Sequence, residues 1–249
     1  MKESENDREA VIVVSHLCKQ FGDNVVLNDF NLEVFKGDNV VVLGKSGSGK
    51  SVLIKCIVGL IKPDSGSIHV LGEDISKLNE EELDKLRTKL GFLFQSNALY
   101  DSITIRDNLE FPLLRHHLVF TQDQIDSAVS EVLENVGLQY AVDMMPSELS
   151  GGMAKRIALA RTLILKPEII FYDEPTTGLD PVTAREIDVL ILKMKKKYNT
   201  SSIIISHDMN CVRDTADKVV LLLDGKCYAQ GTYTEFLESA DIKVKQFFE

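Results

Sequence analysis

Apolar residues along this chain follow two rhythms. Dense, largely β-branched runs of three to five occur at residues 40–43, 169–172, 203–205 and 219–223. They are too short for buried helices and show no polar alternation, so they predict strands covered on both faces. Between them, apolar positions recur at helical spacing. Ile125, Ala128, Val129, Val132, Leu133 and Val136 share one face of a helix that opens at Thr121-Gln122-Asp123-Gln124, a T-x-x-Q capping box, and stops at Gly137. Ser150 is an N-cap for a helix carrying Ile157, Ala158, Ala160, Arg161 and Leu165, which must stop before Pro167. Asp180-Pro181 supplies an N-cap and first-turn proline for a helix over residues 182–198.

The remaining segments are shorter. Residues 10–17 predict a strand, with a turn at Lys19-Gln20-Phe21-Gly22 and a second extended run over 25–35, closed by Lys36-Gly37-Asp38. Pro63-Asp64-Ser65-Gly66 ends a helix and precedes a strand at 67–71. Residues 80–87 read as helix and 90–94 as strand. Asp224-Gly225-Lys226 turns residues 219–223 back on 227–230 as a hairpin. Short helical segments near 234–238 and 241–248 follow, and residues 1–9 are expected to fray. Strands alternating with helices imply a parallel α/β core. One domain is expected, with its core in about residues 10–95 and 165–240, a helical block at about 96–164 inserted into it, and a C-terminal helical segment at about 234–249.

Composition narrows the class. The 249 residues are 44% hydrophobic and 27% charged, ordinary for a globular chain. A net charge of −10 argues against nucleic acid as the main partner. Cys18, Cys56, Cys211 and Cys227 have no paired spacing, which speaks against a disulfide framework or zinc site and fits a reducing compartment. The polar start, Met1 to Ala10, shows no signal pattern. Apolar runs fall far short of the roughly 20 residues that span a bilayer, so any membrane role is expected through partners. His116-His117 reads as a solvated helix end. Lys193, Lys195, Lys196 and Lys197 sit at a helix C-terminus, where the dipole favours cations.

The chemistry begins at Gly44-Lys45-Ser46-Gly47-Ser48-Gly49-Lys50-Ser51, followed by Val52. This is G-x-x-x-x-G-K-S between a strand and a helix, the P-loop context. Its amides and the helix N-terminus can cradle phosphates, Lys50 can reach the outer ones, and the Ser51 hydroxyl can ligate Mg²⁺. A second acidic motif ends the strand at 169–172. Asp173 is placed to hold Mg²⁺ and Glu174 to act as general base on water. Leu149-Ser150-Gly151-Gly152-Met153 puts a serine cap and two glycines at a helix start, which alone is an ordinary cap.

In combination these motifs resemble an ABC-type ATPase. The order P-loop, Gln95, Leu149-Ser150-Gly151-Gly152-Met153, Tyr172-Asp173-Glu174-Pro175, Thr177-Gly178-Leu179-Asp180 and Ile205-Ser206-His207-Asp208 is that family's, over about residues 10–235. The resemblance implies a P-loop NTPase with a RecA-like parallel-sheet core, an N-terminal antiparallel β subdomain and an inserted helical subdomain. It implies ATP and Mg²⁺ as cofactors and a head-to-tail dimer of two copies sandwiching two ATP molecules. Phe21 would stack on adenine, with a core phenylalanine as the alternative. Gln95 would lie near Mg²⁺ and the attacking water. Ser150 and Gly152 would meet the γ-phosphate held by the opposite copy, and Asp180 would communicate across the dimer. His207 would contact the γ-phosphate and support Glu174; Ser206-His207-Asp208 is not read as a hydrolytic triad.

A closer resemblance is to the ATPases of Mla/Mce-type lipid transport systems. It rests on the segments 94–102, 107–113, 150–156 and 244–248, with Met153 where many ABC ATPases have glutamine. Some members carry a tail that reaches the neighbouring subunit, and this sequence ends at Glu249. The resemblance implies a bacterial ABC transporter subunit that drives phospholipid or related lipid transport. It would sit on the inner face of the cytoplasmic membrane, with integral membrane permease subunits and an accessory lipid-binding Mce-type subunit as partners and no nucleic acid. The alternatives are another ABC importer or exporter, for amino acids or lipoproteins, and a non-transport ABC protein of DNA repair, chromosome organisation or translation. The chromosome type separates P-loop and signature by long coiled coils, whereas Lys50 and Ser150 lie only 100 positions apart.

Overall fold

The β-branched runs assemble into one sheet. The computed structural model describes residues 8–115 and 120–247. β3 (Asn39–Leu43), β6 (Leu90–Leu93), β7 (Ile169–Asp173) and β8 (Ser201–Ile205) are parallel, as is β9 (Lys218–Leu223) beside β3; β10 (Lys226–Gly231) adds antiparallel to β9. The order across the sheet is β10-β9-β3-β8-β7-β6. Alternate residues feed two separate cores. Val41, Leu43, Ile170, Tyr172 and Ile204 enter one, and Val40, Val42, Ile169, Phe171 and Ile203 enter the other. Burial on both faces is why these strands carry no polar alternation.

The first core is covered by helices. α3 (Ile105–Arg115), α4 (Gln122–Val136) and α5 (Gly151–Leu163) stand between β6 and β7; α6 (Pro181–Tyr198) and α7 (Met209–Thr215) cover the rest, with α8 (Tyr233–Leu237) and α9 (Ile242–Lys245) at the C-terminal end. The second core lies under α1 (Lys50–Ile57), α2 (Glu80–Arg87) and an antiparallel sheet. That sheet has the order β2-β1-β4-β5, from β1 (Ala10–Phe21), β2 (Asn24–Phe35), β4 (Ser65–Val70) and β5 (Glu73–Asp74).

The predicted caps form. Thr121 and Gln124 bond each other's backbone at the start of α4, Ser150 Oγ accepts from Met153 N–H, and Asp180 accepts from Val182 and Thr183 N–H. The lysines ending α6 find anions: Lys195 pairs with Asp217 and Lys197 with Glu131. All four cysteines are free thiols.

The first strand differs from its sequence reading. It continues to Phe21, and the turn is Gly22-Asp23 rather than Lys19-Gln20-Phe21-Gly22. The polar break comes from irregular pairing inside the hairpin. His16 and Asp29 take positive φ of 53° and 59°, and the Asp29 N–H donates to Cys18 Sγ. The bulged ladder then resumes, so polar residues at 18–20 stay in the strand. The His116-His117 reading, and the fraying expected for residues 1–7, fall outside the described residues.

One buried group resists the packing around it. Asp188 on α6 is 2% exposed, hydrogen-bonds the Cys211 thiol of α7, and leaves Oδ1 with no hydrogen-bond partner among the described residues. Burial pushes its carboxyl up to about 6 from an ordinary 3.8, aided by the nearby charges of Asp208 and Asp214. The unfolded chain therefore releases this proton first as pH rises, and native stability falls between those two values and stays lower above them. Asp188→Asn should raise stability at pH 8 by on the order of 2–3 kcal/mol, with little gain at pH 4, in urea melts at both values. An equal gain at the two pH values would show that the carboxyl's charge is not the cause.

Candidate nucleotide site

The register of the parallel strands brings the chemistry to one edge. Val42 lies opposite Ile205, Ile205 opposite Asp173, and Tyr172 opposite Leu93. The residues that follow leave the sheet together: Gly44 after β3, His207 after β8, Glu174 after β7 and Gln95 after β6. Carboxyl edges of parallel sheets are where open α/β folds bind ligands.

The P-loop turns tightly from β3 into α1. A Cβ on Gly44 would lie 2.6 Å from Ser48 Oγ and 2.8 Å from the Leu222 carbonyl oxygen. Gly49 caps α1 at φ 101°, and a Cβ there would meet Val26 Cγ1 at 2.7 Å. Only glycine fits both positions. Lys50 Nζ donates to the carbonyls of Gly44 (2.7 Å) and Lys45 (2.9 Å). Burial lowers its affinity for a proton, and Glu174 and Asp173 oppose that shift.

The acidic pair faces the loop. Burial raises the Asp173 carboxyl above the usual range and adjacent Glu174 adds to it, while Lys50, Lys55 and Lys155 pull it back. Glu174 takes a strained positive φ of 53°, held by its N–H bonding the Ile205 carbonyl at 2.9 Å. That twist brings Oε2 to 2.8 Å from His207 Nδ1 and 3.1 Å from Thr177 Oγ1, which donates to it. Ser206 is fully buried and accepts from Asp208 N–H, and Asp208 caps α7. Serine and aspartate thus serve the backbone, and only the histidine faces the cleft.

The cleft so formed has a volume of about 690 Å³. It gathers Phe21, residues 44–52, Gln95, Asp173, Glu174 and His207. Phe21 is 49% exposed, which excludes the core alternative. Sequence reasoning missed Val26, Met209 and Phe247, which also line the cleft. Val26 carries the alternation of an ordinary strand, Met209 opens the short helix α7, and Phe247 lies in the turn after α9, so none had a motif to mark it.

Ser150, Gly152 and Asp180 are not in this cleft. They line a second concavity with Gly178, Leu179 and Thr183. The two sets are built on different supports: strand ends for the first, the N-termini of α5 and α6 for the second.

This arrangement has relatives. The profile of the ABC transporter family matches residues 27–177. The chain belongs to the ABC transporter family. It is 42% identical to the intermembrane phospholipid transport system ATP-binding protein MlaF of Haemophilus influenzae, over 96% of this chain and 90% of that protein. Among solved structures it is similar to cbiO1 of Clostridium perfringens, part of the ABC transporter complex cbiONQ. The TM-score is 0.86 at 28% identity, covering 97% and 96% of the two chains. It is also similar to the ATP-binding cassette MJ0796, a dimer in a post-hydrolysis state bound to ADP and Pi. There the TM-score is 0.80 at 29% identity, over 89% of this chain and 98% of that one. The protein is thus an ABC ATPase. No helix among the described residues is long and apolar enough to cross a membrane.

The Gly44 contacts predict a sharp position effect. Gly44→Ala must displace Ser48 or the Leu222 backbone, and should cut ATP affinity by about tenfold or more. Gly22→Ala, at φ 57° with nothing within 4 Å, should cost about 1 kcal/mol of stability and leave affinity unchanged. Titration with a fluorescent ATP analogue separates the two; equal affinities would show that the loop tolerates a side chain at Gly44.

Proposed function

We propose that this ABC ATPase is the ATP-hydrolysing subunit of a bacterial system that moves phospholipid or a related lipid through membrane partner subunits. The observation that carries the lipid reading is the likeness to the phospholipid-transport protein of Haemophilus influenzae along nearly the whole length of both chains. The observation that carries the dimer is the division of site residues between two concavities. Ser150, Gly152 and Asp180 lie apart from the P-loop of their own chain, so a second copy, head to tail, completes each ATP site.

In the proposed mechanism the P-loop amides and Lys50 hold the phosphates. Phe21 offers a face for adenine. Val52 and the rest of α1 back the loop. The oxygens of Ser51, Asp173 and Gln95 form a donor set suited to Mg²⁺, and the raised Asp173 carboxyl is a group a cation would relieve. Bound there, Mg²⁺ supplies positive charge to the phosphate oxygens. Glu174 accepts a proton from the attacking water, and His207, in contact with Oε2, holds that carboxylate in place. Ser150 and Gly152 contribute a helix N-terminus to the opposite copy's γ-phosphate. Closure of the dimer passes to integral membrane permeases beside residues 95–113, on the cytoplasmic face.

Two measurements test this. Glu174→Gln should bind ATP with unchanged affinity and accumulate closed dimers by size-exclusion chromatography. Its turnover should fall about 100-fold or more; near-normal turnover would remove Glu174 from the base role. Affinity purification from the native membrane should bring down permease subunits and a lipid-binding Mce-type partner. Recovery of an amino-acid or lipoprotein system instead would overturn the lipid assignment.

A further inference from the structure

α5 carries more than its N-terminal serine. Five positions after Ser150, Lys155 is 2% exposed, an unusual state for a lysine. Its Nζ donates to the Gln95 carbonyl at 2.9 Å and to the Phe94 carbonyl at 3.4 Å. Burial depresses its proton affinity, and Asp173 is the charge that opposes the shift. No carboxylate forms an ion pair with it among the described residues. A buried ammonium held by backbone carbonyls alone is costly, since neutral dipoles only partly replace water.

The bonds fall on a stretch outside helix and strand, held locally by two turn bonds, Asn97 N–H to the Phe94 carbonyl and Ala98 N–H to the Ser96 carbonyl. β6 ends at Leu93, and Asn97 and Ala98 both take positive φ, 61° and 53°. Arg161, six positions along the same helix, donates to the carbonyls of Asn97 (3.2 Å) and Ala98 (2.7 Å). α5 therefore grips residues 94–98 with two cations, and Lys155 is the one that reaches Gln95 itself.

We infer that Lys155 is the positioning residue of Gln95: it ties the backbone of the glutamine that serves the ATP site to the helix that presents Ser150 to the second copy. The inference rests on Gln95 serving the reaction as proposed above. Lys155 is not among the residues lining the cleft. It fixes where Gln95 leaves the sheet edge, and any displacement of α5 moves Gln95 with it.

The full-length chain and its variants test this. Lys155→Met keeps the volume and removes the donors. It should bind a fluorescent ATP analogue within about twofold of the parent while kcat falls about tenfold with KM little changed, as expected when an aligned group is lost after binding. Hydrogen exchange should quicken at residues 94–98. Lys155→Arg, which can donate to both carbonyls, should recover most of kcat. In the Gln95→Ala background Lys155→Met should cost nothing further, because the two act through one group. A second full loss there, or normal turnover and exchange in Lys155→Met alone, overturns the positioning role and leaves the proposed function standing. Full activity of Gln95→Ala would overturn both the glutamine's role and this inference. Should Lys155→Met fail to fold, Lys155→Leu, which also removes every donor, carries the same readouts.

Discussion

Parallel pairing sets Val42 beside Ile205 and Ile205 beside Asp173, and the strand edge that carries the candidate site depends on that row. Side chains alternate along a strand, so slipping any one strand by a single residue would exchange its two faces. Val41 and Leu43 would trade cores with Val40 and Val42. Both cores are apolar, so hydrophobicity alone would resist such a slip weakly. What resists it is the fit at the strand ends. Asn39, at the start of β3, donates to the Thr215 carbonyl and accepts from Ser202 Oγ, and its N–H bonds Asp217. These buried polar bonds at one end of the sheet hold the register that the other end needs.

The edge then concentrates charge that the fold would not otherwise favour. Asp173 and Glu174 are adjacent acids, one pushed up by burial and the other held at positive φ against the neighbouring strand. Lys50 answers them from the P-loop, and Lys155 from α5. These costs sit at the cleft, and strain kept at such a site is a property of binding machinery. Glu174 shows it most directly. Its backbone bond to Ile205 continues the sheet ladder by one step while its φ breaks with strand geometry, and that break aims Oε2 at His207.

The β-branched runs made the central sheet legible, because burial on both faces leaves a pattern that needs no partner to interpret. Helices α4 and α6 were legible through Thr121 and Asp180, whose caps are local chemistry. The end of β1 and the place of its turn were not, since bulges at His16 and Asp29 scatter the polar positions there. The P-loop and the acidic pair announce themselves because their chemistry needs fixed residue types at fixed spacing. Val26, Met209 and Phe247 reach the same cleft by packing alone, and packing leaves no short-range mark. Lys155 lies within residues 150–156, whose likeness to lipid-transport ATPases is local, yet its burial and its two carbonyl partners depend on contacts 60 and 61 positions away in sequence.

The two concavities also explain why the site is divided as it is. The P-loop, acids and histidine hang from strand ends, and parallel strands cannot move past one another without breaking the sheet. Ser150 and Asp180 instead cap α5 and α6, which lie side by side and are joined by the Arg156–Glu186 ion pair. The helices meet the sheet through apolar side chains, where small sliding shifts are a recognised mode of motion, whereas the strands are held to one another by ladder hydrogen bonds. In the mechanism proposed above, the nucleotide rests on the sheet edge and the second copy's contacts rest on the helix N-termini, so the two kinds of contact have separate supports. Gln95 stands where the two supports meet: its strand belongs to the sheet and its carbonyl to α5. By the inference above, a displacement of α5 is passed to Gln95, where the sheet gives way to the loop that leads into the helical block.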